Sequence, residues 1–117
     1  MATLLVHLAT GPENPTRAAL AMLVARTAAS EGHDVSVFLA GDAVQLLRPE
    51  TAAATHGIGT GAFEEHLAAL REAGVRIYAS GMSSKARGVE AEALGAEPAQ
   101  PQKLVELATA AETTLTY

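Results

Sequence analysis

The chain has 117 residues, a formal net charge of −5, and neither cysteine nor tryptophan. That length holds one domain with a single core, and the missing thiols exclude disulfides, thiolate metal sites and cysteine nucleophiles. No basic run exists to displace counterions from a nucleic acid, and no stretch approaches the roughly 20 apolar residues of a membrane span.

The N-terminus, Met1-Ala2-Thr3-Leu4-Leu5, lacks the basic lead of a secretory signal and reads directly into a strand, so a cytoplasmic location is expected. Thr3 to Ala9 is an apolar run suited to a strand buried on both faces. Asn14 is the N-cap and Pro15 the first residue of a helix running to about Glu31, with Leu20, Leu23, Val24 and Ala28 as its apolar stripe. The alanines at 18, 21, 25 and 28 would allow close helix approach, in the core or between subunits. Gly32 ends the helix, and Asp34 to Ala40 forms the second strand.

A short apolar segment, Ala43 to Leu47, follows. Arg48 to Gly61 has weak periodicity and reads as a mobile connection, a lid or interface loop. Phe63 to Ala73 is a helix with Phe63, Leu67 and Leu70 inward, and Val75 to Ala79 the third strand. A short helix at Ser83 to Arg87, a helical piece at Glu90 to Leu94, a brief strand at Gly95 to Pro98, a helix at Gln100 to Ala111 and a terminal strand at Thr113 to Tyr117 complete the order. Strands alternating with helices of this length imply βαβ crossovers and a parallel sheet, an α/β fold.

These elements resemble the DsrE/DsrF-like family of small α/β proteins. The matching stretches are Gly11-Pro12-Glu13-Asn14-Pro15-Thr16-Arg17-Ala18, Gly32-His33-Asp34-Val35, and Gly74 to Gly81 leading to Lys85-Ala86-Arg87-Gly88. The resemblance covers essentially the whole chain. It implies a single domain with a mostly parallel five-stranded sheet sandwiched by helices, layered like a flavodoxin, assembled as a trimer or hexamer. It also implies sulfur-carrier relatives that pass persulfide sulfur through a cysteine in the loop after the third strand. Here Ser80 stands at that position, and a hydroxyl cannot carry a persulfide.

The candidate ligand-binding residues are Thr10, Asn14, Ser80, Gly81, Met82, Ser83, Ser84, Lys85 and Arg87. Ser83 or Ser84 would cap the short helix, leaving free N–H groups beside Lys85 and Arg87, a setting that favours an anion. Met82 reads as an apolar plug lining the pocket. Were the first and third strands neighbours, the loop at Thr10 to Asn14 would border the same crevice. Gly-Pro-Glu-Asn-Pro lacks the spacing of a phosphate or dinucleotide loop, so no cofactor is expected. Ser80 with Lys85 as base is the catalytic alternative, although no nucleophile-elbow motif surrounds the serine.

Among the histidines, His7 reads as a core or interface residue, His33 as a turn residue, His66 as lying on the polar side of its helix, and His56 as able to reach the crevice from above. None has zinc-motif spacing, and no metal is expected. The leading functional reading is a non-catalytic oligomeric binding or accessory protein, with a protein partner or small polar or anionic ligand near Ser80. A subunit of a sulfur-transfer assembly whose cysteine lies on another chain is the second reading.

Overall fold

Side-chain alternation along the strands divides this protein into two unequal layers. The computed structural model describes residues 1–117. Strands β1 (Thr3–Leu8), β2 (Asp34–Leu39), β5 (Arg76–Ser80), β6 (Glu97–Ala99) and β7 (Thr113–Thr116) form one sheet in the order β6-β5-β2-β1-β7, with every pairing parallel. A second, two-stranded antiparallel ribbon consists of β3 (His56–Gly57) and β4 (Gly61–Ala62).

One face of the large sheet presents Val6, Leu8, Val35, Val37, Leu39, Ile77 and Ala79 to helices α1 (Pro15–Ser30) and α3 (Phe63–Glu72) and to a 3-10 helix (Gly41–Leu47). The opposite face presents Leu5, Phe38, Tyr78 and Ala99, covered only by α5 (Pro101–Ala110) through Leu104, Leu107 and Ala108. No residue of α5 is fully buried. No helix is long and apolar enough to cross a membrane.

The inward face of α1 is not the expected stripe. Ala18, Ala19, Ala21, Met22 and Ala25 are all buried, whereas Leu20 is 37% exposed and Leu23 and Val24 belong to neither core cluster. Alanines let the helix axis lie close to the sheet, and leucines at those positions would hold it away. Because α1 is apolar nearly all round, periodicity alone does not choose its buried face.

The stretch from Arg48 to Gly61 is an ordered element, not a loose connection. It holds α2 (Pro49–Ala54), with proline at its start, and the β3–β4 ribbon. Three contacts pin the ribbon: Ile58 N–H donates to Thr16 Oγ1 at 3.0 Å, His66 Nε2 lies 2.7 Å from the Thr60 carbonyl, and Arg26 Nη1 lies 3.4 Å from His66 Nδ1. With a carbonyl on one side and a guanidinium on the other, the proton belongs on Nε2 and Nδ1 accepts. His66 is therefore a latch only 5% exposed, contrary to its expected place on a polar face. The segment at 90–94 is a set of turns instead of a helix, closed by Gly95 N–H donating to Glu92 O and Ala96 N–H to Ala91 O.

Candidate functional site

The carboxyl ends of the parallel strands gather the loops after β1, β2 and β5, and the link between them is Gly41-Asp42. Gly11 approaches the Asp42 carbonyl so closely that a Cβ would sit 2.3 Å from its oxygen. On the other side, Gly41 N–H donates to Ser83 Oγ at 2.9 Å, and Arg87 Nε donates to Asp42 Oδ1 at 2.9 Å. The first and third strands of the sheet, β1 and β5, are not neighbours, because β2 lies between them. The expected shared crevice from Thr10 to Ser80 is therefore split by the loop after β2.

Each expected site residue has a definite place. Thr10 Oγ1 donates to the Tyr117 carbonyl at 3.2 Å, and Asn14 Oδ1 accepts from Arg17 N–H at 3.1 Å, capping α1 as expected. The helix after β5, α4, spans Gly81–Arg87, and its cap is Ser80, whose hydroxyl accepts from Ser83 N–H at 3.1 Å. Neither Ser83 nor Ser84 serves as cap: the helix starts two residues earlier than expected. Ser84 is 5% exposed, and its hydroxyl has no partner.

Met82 is 66% exposed and plugs nothing. Arg87 is consumed internally, donating to Asp42 and through Nη1 to the Ser83 carbonyl, while Arg48 Nη2 donates to the Arg87 carbonyl at 2.8 Å. Lys85 is exposed and takes part in none of the chain's ion pairs, which are His33–Glu31, Arg87–Asp42 and Lys103–Glu106. The Ser80 hydroxyl thus serves the helix end, Lys85 is exposed, and no hydrogen bond joins the two. Replacing Ser80 with alanine removes a capping bond, and urea unfolding should show a loss of about 1 kcal/mol with the fold retained.

The topological switch lies at β5 and β6. The chain leaves β5 for α4, which packs against the 3-10 helix on the α1 side of the sheet, and leaves β6 for α5 on the opposite side, so that connections from neighbouring strand ends diverge. Two concavities flank the switch. One, about 330 Å³, is lined by Gly81, Ser84, Lys85, Glu90, Glu92 and Pro98 among others. The other, about 500 Å³, is lined by Glu97, Gln100, Gln102, Lys103 and Glu106 with Pro98 and Ala99.

Lys103 Nζ also sits 5.5 Å from the centre of the Tyr78 ring. Glu90, Glu92, Gln100 and Lys103 escaped the sequence reading because the switch is defined by strand order, which no local pattern carries. A larger groove, about 730 Å³, lies between α2, α3 and the turn at Ala93 to Gly95, away from the strand ends. No cluster of three or more histidine, aspartate and glutamate side chains is arranged to hold a metal ion.

His7 stands on the α5 face of β1, edge-on to Phe38 at 6.2 Å, with Nε2 shielded and unpartnered. Burial lowers its pKa from the usual 6.5 because the charged ring loses hydration. The unfolded chain then binds more protons between the two pKa values, so the stability held above pH 6.5 declines as pH falls toward the folded value. Thermal unfolding from about pH 7 to about pH 5 should fall less steeply for His7→Phe than for the unaltered chain.

The family model for DsrE/DsrF-like proteins matches residues 3–117. The chain is a member of the DsrE/DsrF-like family. This DsrE/DsrF-like chain superposes on the YchN protein of E. coli with a TM-score of 0.77 at 17% identity, covering 100% of both chains. It superposes on BT1422 of Bacteroides thetaiotaomicron, a conserved protein of unknown function, with a TM-score of 0.75 at 16% identity, covering 99% of this chain and 95% of that one. At such identities the likeness establishes the DsrE/DsrF-like fold alone. No curated protein matches the sequence.

Proposed function

We propose that this chain is a non-catalytic, oligomeric binding or accessory protein of the cytoplasm, taking a partner or a small polar ligand at the β5–β6 crevice. The observation that carries the reading is the state of Ser80. It stands where the family resemblance places a sulfur-carrying cysteine, and its hydroxyl is bonded to Ser83 N–H as a helix cap.

Charge narrows the ligand. Lys85 shares its concavity with Glu90 and Glu92, and Lys103 shares the neighbouring one with Glu97 and Glu106. Carboxylates lining the same concavities as the ammonium groups disfavour a bare polyanion such as phosphate. A small molecule with both a cationic and an anionic group, or a partner segment with mixed charge, fits better.

Native mass spectrometry of protein gently purified from its own cells tests the reading. Retained mass on each subunit, lost in a Lys85→Glu, Lys103→Glu variant, is the expected result. A second chain bearing a cysteine would replace this reading with a place in a sulfur-transfer assembly. Binding that falls tenfold or more in Ser80→Ala, with the fold intact, would refute a purely structural role for that hydroxyl.

A further inference from the structure

One stripe of α1 leaves apolar side chains half-exposed, Leu20 at 37% with Leu23 and Val24 partly buried, and its charges are arranged in a self-complementary way. Arg17, Leu20, Val24, Thr27 and Glu31 follow one another at spacings of three, four, three and four, which places them in a single stripe. Leu20 is 37% exposed, and Leu23 and Val24 beside it lie outside both core clusters. The stripe continues onto the β3–β4 ribbon. Ile58 at its tip is 89% exposed, yet its N–H is fixed to Thr16 Oγ1 one helical turn before Leu20. The Ile58 side chain thus leaves nearly all of its apolar surface in water beside this stripe.

We infer that this face is an isologous interface with a second copy of the chain, α1 packing antiparallel on its counterpart about a two-fold axis near Val24. The charges select both the occupant and the direction. Arg17 and Glu31 lie seven residues to either side of Val24, about 10 Å along the helix at 1.5 Å per residue. A two-fold axis there sets each Arg17 against the other copy's Glu31 at both ends of the apolar centre. A parallel pairing would oppose Arg17 to Arg17 and Glu31 to Glu31. Arg17 has no ion-pair partner in its own chain, and Glu31 has only a loose contact with His33 at 3.9 Å. The inference rests on the oligomeric part of the proposed function and specifies its surface.

Sedimentation velocity and native mass spectrometry of the full chain test it, with circular dichroism confirming that each variant is folded. The unaltered protein is expected to contain an even number of subunits, and Leu20→Asp to halve that number. Ile58→Asp, at a site with no internal packing, should do the same and decides the matter if Leu20→Asp fails to fold. Arg17→Glu should weaken association about tenfold, and Arg17→Glu with Glu31→Arg should restore it. An odd-numbered oligomer, a subunit number indifferent to Ile58→Asp, or no recovery in the double reversal overturns this interface and leaves the oligomeric reading standing. A monomer under all conditions overturns both, while ligand retention at the crevice reports separately on the rest of that reading.

Discussion

Gly11→Ala is expected to destabilise the protein by about 3 kcal/mol, at the upper end of what overpacking does. The added methyl would lie 2.3 Å from the Asp42 carbonyl oxygen and 2.6 Å from its carbon. Both are backbone atoms, so no rotamer change relieves the overlap, and one of the two loops must move. Asp42 carries the carboxylate that holds Arg87, and its neighbour Gly41 donates to Ser83. Displacing that loop therefore loosens α4 as well. Urea unfolding gives the first effect, and faster amide exchange in Gly81–Arg87 gives the second. A loss below about 1 kcal/mol would mean that the loops part without resistance.

Phe38→Ala should have an effect at least as large, about 3–5 kcal/mol, from lost burial and the cavity left behind. Phe38 is 2% exposed, stacks on Tyr78 at 6.4 Å between ring centres and meets His7 edge-on. It anchors the thin layer under α5. That helix has no fully buried residue of its own, so its hold on the sheet depends on the small cluster of Leu5, Phe38, Tyr78 and Ala99. Hydrogen exchange should show α5 losing protection in the variant well before α1 does. Equal loss across both helices would show that the two layers open together.

The strands and most helices were legible because their signals are local. Asn14-Pro15 starts α1 and Gly74 ends α3, and the short apolar runs around Val6, Val37 and Ile77 became sheet strands. Ambiguity entered where local signals are degenerate. In α1, leucine drew the reading toward the solvent face because the alanines that pack inward have little hydrophobic surface each. Between Arg48 and Gly61, two-residue strands and a six-residue helix are too short for any period to register. Their order comes from Thr16, His66 and Arg26, which are distant in sequence.

At the site, Ser83 and Ser84 read as the caps of the short helix, whereas α4 begins at Gly81 and the cap is Ser80, at the end of β5. The crevice itself depends on strand order, with β2 between β1 and β5 and the switch at β5 and β6, a property of the whole sheet.

The strand order has a consequence for how the sheet is made. β1 receives β2 on one edge through a single helical crossover, but its other neighbour is β7, paired from Leu4↔Thr113 to His7↔Thr116. A nascent chain emerging from the ribosome must therefore keep the edge of β1 open, with its amides and carbonyls unpaired, until α5 has crossed the sheet. Such long-range closure is slow, and the waiting edge is a template for association with other unfinished chains. Chaperone dependence during synthesis should then track the interval before β7 docks, more than the stability of the finished sheet.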